Sequence, residues 1–116
     1  IRQNVANRNI ILVDDSIVRG TTIKRTVESL KEVGANSVHV RIASPAILNS
    51  VGDTLDITDT SDLIAANYSL EEMQEMIGCD SLHFLSLDGF HRAIGRNQMH
   101  DYYFKSANQK EDSSWA

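Results

Sequence analysis

The feature that most constrains the fold is a run of four apolar residues, 10–13, that ends in two adjacent carboxylates. A short apolar run rich in β-branched residues is typical of a strand buried on both faces of a parallel sheet. After the two acids come small, basic and hydroxyl residues, and a helical pattern opens at Ile23. The side chains that can carry chemistry in this stretch are those of Asp14, Asp15, Ser16, Arg19, Thr21 and Thr22, with a glycine at position 20.

This order of residues suits a sugar phosphate. In open α/β sheets ligands bind beyond the carboxyl ends of the strands, and the N-terminus of the following helix offers backbone N–H groups to an anion. Gly20 lets the backbone approach a phosphate closely or adopt a positive φ, and Thr21 and Thr22 add hydroxyl donors. Asp14 and Asp15 can accept hydrogen bonds from neighbouring sugar hydroxyls, or hold a hard divalent cation through oxygen.

The residues that follow predict a strand–helix–strand unit. Apolar side chains recur at helical spacing from Ile23 to Val33, and Gly34 is typical of a helix end. Residues 37–42 then alternate between apolar and polar side chains, which predicts a second strand. A parallel pair of strands joined by a helix in this way is right-handed in nearly all known folds.

A third unit is predicted further along the chain. A loop rich in Asp, Thr, Ser and Gly is expected over residues 49–60 and a short helix over residues 62–67. Ser69 with Glu72 three residues later is a capping-box pattern that opens a helix closed by Gly78. A strand over residues 81–85 and a helix over residues 89–94, capped by Asp88, complete the pattern. The fold class predicted is α/β, a small parallel sheet with flanking helices.

Composition excludes several classes of function. The 116 residues carry a net charge of −5, whereas general binders of nucleic acid or anionic membranes rely on clustered Lys and Arg. No apolar run approaches the roughly 20 residues that span a bilayer. The single cysteine, Cys79, allows no internal disulfide and fits a cytoplasmic protein; we expect it to be buried. We expect no nucleic-acid or membrane partner.

Residues 13–22, Val-Asp-Asp-Ser-Ile-Val-Arg-Gly-Thr-Thr, resemble the phosphoribosyl pyrophosphate loop of type I phosphoribosyltransferases, and their wording resembles the amidophosphoribosyltransferase family in particular. The resemblance continues through residues 38–45, 63–66, 77–82, 85–89 and 94–96. It implies that residues 1–96 form the C-terminal half of a phosphoribosyltransferase domain, with a Rossmann-like core. Residues 97–116 are then a polar tail, which we expect to be mobile.

The resemblance also implies a role for each residue of the loop. Asp14 and Asp15 would contact the ribose hydroxyls, help to hold Mg²⁺ and act as the catalytic carboxylates. The 5′-phosphate would be wrapped by the second half of the loop, and the residues between would shape it. The substrate-binding residues implied are Asp14, Asp15, Ser16, Ile17, Val18, Arg19, Gly20, Thr21 and Thr22. The implied reaction makes phosphoribosylamine from phosphoribosyl pyrophosphate and glutamine-derived ammonia in de novo purine synthesis.

The family's glutaminase domain and the N-terminal part of its phosphoribosyltransferase domain have no match in these residues. We therefore expect these parts as partners, and we do not expect full activity from the 116 residues alone. Cys79 does not stand at a cluster position of the family's iron–sulfur branch, so no iron–sulfur cluster is expected. Self-association into a homo-oligomer is expected, because a small parallel sheet leaves an edge to cover.

Two other functions fit parts of the same pattern. One is a regulator that senses phosphoribosyl pyrophosphate without turning it over. The other is a receiver-type signalling domain, in which the acid pair after the first strand holds magnesium. A receiver needs a phosphoacceptor aspartate at the end of a later strand; Asp53 and Asp56 lie near that place, but residues 49–56 do not form an apolar strand pattern. The four histidines lack metal-ligand spacing, and Arg41 is expected on the surface of a strand; the histidines are His39, His83, His91 and His100.

Overall fold

A computed structural model of the chain describes residues 2–49, 62–95 and Phe104. Predictions for the loop over residues 50–60, for His100 and for nearly all of the tail over residues 97–116 lie outside this part. The elements, in chain order, are α1 (Arg2–Val5), β1 (Asn9–Asp14), α2 (Thr21–Glu32), β2 (Ser37–Ile42), α3 (Ile64–Asn67), α4 (Leu70–Ile77), β3 (Ser81–Phe84) and α5 (Leu87–Ile94).

Three parallel strands form the sheet, in the order β1-β2-β3. Asn9 of β1 pairs with Ser37 of β2, and His39 of β2 pairs with Ser81 of β3. Right-handed crossovers between strands that advance in one direction place their helices on the same face. In agreement, α2 packs on β2 and on α4, and α4 packs on β3. The predicted fold class is confirmed.

The core lies between this face of the sheet and helices α2, α3 and α4. Val38 and Val40 of β2 are fully buried, and Leu82 of β3 is 1% exposed. Ile23 and Val27 of α2 and Met73 and Ile77 of α4 pack against them, as the helical spacing predicted. Burying each such side chain contributes roughly 1.5–3 kcal/mol relative to leaving it in water.

The prediction that the first strand is buried on both faces is wrong for the described part of the chain. Ile11 and Val13 are 68% and 66% exposed. Their side chains alternate with Ile10 and Leu12, which pack against the core. The three helices of the core lie on the side of Ile10 and Leu12, so the opposite side of β1 is left in solvent.

Helix and strand ends follow the predictions with small shifts. Ser69 and Glu72 form the predicted capping box, and α4 ends at Gly78 with φ 81°. Helix α5 begins two residues earlier than predicted, because Ser86 caps it by accepting a hydrogen bond from the Gly89 amide. Asp88, the predicted cap, lies inside the helix and forms an ion pair with Arg92 one turn later.

Two other boundaries also differ by one or two residues. Helix α3 begins at Ile64 rather than at residue 62, and β3 ends at Phe84 rather than at residue 85. Among the described residues, no helix has the length and apolar character that crossing a membrane requires.

Candidate functional site

The site lies at the carboxyl end of β1, where the chain passes through a loop into α2. A cavity of about 350 Å³ is lined by the consecutive residues 14–23. All nine residues predicted to bind substrate, 14–22, therefore line the same cavity. The carboxylates lie at the strand end of the loop and the threonines at its helix end.

At the strand end, Asp14 and Asp15 are held by the backbone. The Asp14 carbonyl accepts a hydrogen bond of 2.9 Å from the Ala43 amide, which joins the end of β1 to the residue after β2. The Asp14 Oδ1 atom accepts from the Asp15 amide at 2.8 Å, and the Asp15 Oδ1 atom accepts from the Ser16 amide at 2.8 Å. One oxygen of each carboxylate is thus fixed locally, and the other can accept from a hydroxyl group or bind a cation.

At the helix end, α2 starts without a side-chain cap. Gly20 has φ 82° and ψ −6°, a left-handed conformation, and no side chain accepts a hydrogen bond at this N-terminus. The first turn carries no acidic residue, and the hydrogen bond from the Lys24 amide to the Gly20 carbonyl is 3.1 Å long. The N–H groups of Thr21, Thr22 and Ile23 precede the helical hydrogen bonds, so they and the positive end of the helix dipole suit an anion.

Two contacts hold the middle of the loop in place. Ile17 is 3% exposed and belongs to the core. The Val18 carbonyl accepts a hydrogen bond of 2.9 Å from the Ile64 amide at the start of α3. A methyl group added at Gly20 would lie 2.9 Å from the Ile64 Cδ1 atom. The loop shape thus depends on α3 as well as on its own sequence.

Sequence reasoning gave Ile64 no role at the site. Residues 63–66 matched the family pattern, but nothing in their spacing showed that they support the loop. Asp62 was assigned to a solvated loop; its carboxylate lies 3.8 Å from the Arg19 guanidinium, and both side chains are about half exposed. An exposed pair of this kind contributes at most about 1 kcal/mol.

The acid pair fits magnesium of one particular kind. No group of three or more metal-binding side chains occurs among the residues that the structure describes. Mg²⁺ is commonly bound by only one or two carboxylates, with substrate phosphates and water completing its shell. Asp14 and Asp15 therefore fit a magnesium ion that arrives with a polyphosphate ligand better than a closed protein site.

The other candidates lie away from this cavity. His39 and Arg41 project from the opposite face of the sheet, as their alternation with the buried Val38 and Val40 shows. Cys79 is 7% exposed, as expected, and burial raises the pKa of its thiol, which disfavours the nucleophilic thiolate.

The strand ends also argue against a receiver domain. A receiver requires a carboxylate where a neighbouring strand ends. Strand β2 is followed by Ala43 and Ser44, and β3 by Leu85 and Ser86. Within the described residues, neither strand ends at an aspartate.

Comparison with known proteins gives consistent relatives. The amidophosphoribosyltransferase of Staphylococcus aureus (strain Mu50) is 53% identical over 95 residues, which cover 82% of this chain and 19% of the relative. That of Archaeoglobus fulgidus is 46% identical over 96 residues, covering 83% of this chain and 21% of the relative. No family model matches.

Two solved structures share the fold. Glutamine phosphoribosylpyrophosphate amidotransferase from B. subtilis, complexed with ADP and GMP, superposes with a TM-score of 0.76 and is 39% identical, covering 94% of this chain and 24% of that one. A structure described as the allosteric regulatory enzyme of purine biosynthesis gives a TM-score of 0.81 at 36% identity, covering 97% and 25%. The chain thus spans about a fifth of the length of the curated relatives it matches.

Proposed function

We propose that this chain, which is related in sequence and in fold to one part of the amidophosphoribosyltransferases, provides the phosphoribosyl pyrophosphate-binding site of such an enzyme. The resemblance carried by residues 13–22 is confirmed by these relatives. One observation supports the proposed site most directly. A single cavity is lined at one end by the carboxylates of Asp14 and Asp15 and at the other by the uncapped start of α2.

The 5′-phosphate of the substrate would bind at the start of α2. Charge-assisted hydrogen bonds from backbone N–H groups to an anion contribute about 1.5–3 kcal/mol each. Gly20 has no side chain to hold a phosphate away from the backbone, and the hydroxyl groups of Thr21 and Thr22 add donors. Both threonines are exposed, so no repacking is needed for them to reach the ligand.

The ribose would lie over Asp14 and Asp15. Their carboxylates would accept hydrogen bonds from the 2′ and 3′ hydroxyls and so orient the ring. In the proposed reaction the nitrogen of ammonia forms a bond to C1, the bond from C1 to the pyrophosphate oxygen breaks, and pyrophosphate leaves with the electron pair. Positive charge grows on the ribose ring as that bond breaks, and the two carboxylates stabilise it. Magnesium, when bound, neutralises charge on the departing pyrophosphate.

The complete reaction needs more than these residues. The partners we propose are the glutaminase part, which releases ammonia, and the remaining phosphoribosyltransferase part, which binds pyrophosphate. The role of residues 14–22 is then to bind and orient phosphoribosyl pyrophosphate, with turnover belonging to the longer protein. We place this activity in the cytoplasm and expect homo-oligomers.

A calorimetric titration of the folded chain with phosphoribosyl pyrophosphate and magnesium tests the proposal. We expect saturable binding of one ligand per chain, weakened when magnesium is omitted. Ribose 5-phosphate should compete for the site. Ribose without phosphate is the matched control and should not compete at the same concentration. Absence of any heat of binding in a chain shown to be folded would contradict the assignment of the site to these residues.

A further inference from the structure

The side of the sheet opposite the core, here called the open face, has an unusual make-up. In parallel strands, residues paired in register project to the same side. The open face therefore consists of every second strand residue, namely Asn9, Ile11, Val13, Ser37, His39, Arg41, Ser81 and His83. On β1 this face presents two large apolar side chains that are about two-thirds exposed, Ile11 and Val13.

The polar half of the open face is held by hydrogen bonds that cross all three strands. The Ser37 hydroxyl donates to Asn9 Oδ1 at 2.8 Å. The ring of His39 lies between two serines, with Nδ1 2.7 Å from the Ser81 hydroxyl and Nε2 3.2 Å from that of Ser37. Arg41 Nη1 donates to the Ser81 hydroxyl at 2.8 Å. These contacts fix the guanidinium and the imidazole in place beside the apolar strip of β1.

The charge of the open face is opposite to that of the chain. The whole chain has a net charge of −5, yet the open face contains no aspartate or glutamate. Its ionisable side chains are one arginine and two histidines, Arg41, His39 and His83. The acidic residues of the described helices, including Glu71, Glu72 and Glu75 of α4, belong to the helical layer on the other side of the sheet.

We propose that the open face is a docking surface for an amphipathic α-helix that carries carboxylates. Its apolar stripe would cover Ile11 and Val13, and its acidic side chains would pair with Arg41 and lie beside His39 and His83. All-parallel sheets occur almost only with both faces covered, whereas α2, α3 and α4 cover one. The source we assign to this helix rests on the proposed function. The chain spans about a fifth of its curated relatives, so the rest of such a polypeptide has room for it.

The test uses two peptides of about 18 residues, long enough to cross the three strands at 1.5 Å per residue. Both have leucines at helical spacing; one has glutamates beside the leucine stripe and the other lysines. Amide NMR shifts of the chain report where each peptide binds. We expect the glutamate peptide to bind at least tenfold more tightly than the lysine peptide, with shifts centred on β1 and β2.

Three variants place the contact. Ile11→Thr combined with Val13→Thr keeps β-branched side chains but removes apolar surface, and should abolish peptide binding. Arg41→Gln should reduce the preference for the glutamate peptide. Met76→Thr is the matched control, since Met76 is 42% exposed on α4 at the other side of the sheet, and it should bind like the original chain.

Several outcomes would overturn the proposal. These are equal or tighter binding of the lysine peptide, shifts confined to the helical side, no binding of either peptide, or self-association of the chain that Ile11→Thr and Val13→Thr remove. Phosphoribosyl pyrophosphate is titrated separately. Peptide binding without sugar-phosphate binding would contradict only the proposed function, and the reverse result would contradict only the docking surface.

Discussion

Helices α2 and α4 pack side by side in the same layer, but they begin in opposite ways. Helix α4 satisfies its own N-terminus: the Ser69 hydroxyl accepts from the Glu72 amide at 3.2 Å, and Glu72 Oε1 accepts from the Ser69 amide at 3.1 Å. Two glutamates lie in its first turn. Helix α2 begins after Gly20 with neither a side-chain cap nor an acidic residue in its first turn. The same backbone groups are therefore occupied in one helix and available to a ligand in the other.

The uncapped start of α2 has a cost in stability. A side-chain cap contributes about 1 kcal/mol to a helix, and α2 lacks it. Burial of Ile23 and Val27, which are 4% and 1% exposed, offsets that loss. Helix α5 follows the pattern of α4, since Ser86 caps it. Among the three longer helices, the one that lacks a cap is the one that lines the cavity.

The largest expected effect comes from removing charge at the strand end of the cavity. Asp14→Asn combined with Asp15→Asn keeps the Oδ1 acceptors that bind the next amides but removes both negative charges. Each charge-assisted hydrogen bond contributes about 1.5–3 kcal/mol, so affinity for phosphoribosyl pyrophosphate should fall by about 100-fold or more. Calorimetry measures the change. Glu71→Gln in α4 is the control and should leave the affinity unchanged; an equal loss there would indicate a general charge effect.

Two glycines with nearly the same backbone separate the strain of a substitution from its effect on the site. Gly20 and Gly78 have φ of 82° and 81°. An added methyl group would lie 2.9 Å from Ile64 at the first position and meet nothing within 4 Å at the second. Alanine in the left-handed region costs about 1–2 kcal/mol, so both variants should unfold at lower denaturant concentration, and Gly20→Ala more so.

Only Gly20→Ala should also weaken ligand binding, because only Gly20 lies at the cavity. Chemical denaturation and a sugar-phosphate titration of the same two samples provide both readings. Equal affinities in the two variants would mean that the phosphate does not approach the backbone at Gly20.

Capping residues should matter for stability in α4 and much less in α2. Ser69→Ala removes half of the capping box and should lower the free energy of unfolding by about 1 kcal/mol. Thr21→Ala, at the start of α2, removes no capping hydrogen bond and should change it by less than about 0.5 kcal/mol. Urea denaturation of both variants checks this. A loss at Thr21 as large as that at Ser69 would show that α2 is capped after all.

The smallest expected change in stability comes from making α2 resemble α4. Thr22→Glu places a carboxylate in the first turn, where interaction with the helix dipole contributes about 0.3–1 kcal/mol. The variant should therefore be slightly more stable, yet bind a sugar phosphate several-fold more weakly, because the new charge repels the phosphate. Thr22→Gln controls for side-chain size. Tighter binding by the glutamate variant would place the phosphate elsewhere.

Local features of the fold were predictable from the sequence because they depend on residues close together in the chain. The capping box of Ser69 and Glu72 and the acid pair after the first strand are patterns of this kind. The start of α5 shows the limit. Ser86 and Asp88 are both good caps, and only the path of the chain out of β3 decides that Ser86 is used.

Features that depend on distant or additional chain could not be predicted in this way. The apolar run at residues 10–13 correctly predicted a strand, but the exposure of Ile11 and Val13 depends on what covers the second face of the sheet. The support that Ile64 gives to Val18 and Gly20 joins residues more than forty positions apart. No periodicity within either segment reports that contact.

The most direct test of the difference between the helix starts is an amide NMR titration of the folded chain with ribose 5-phosphate. The amides of Gly20, Thr21, Thr22 and Ile23 should shift, whereas those at the starts of α4 and α5 should not, because their own side chains already bind them. Equal shifts at all three helix starts, or none at α2, would contradict a phosphate site built by leaving α2 uncapped.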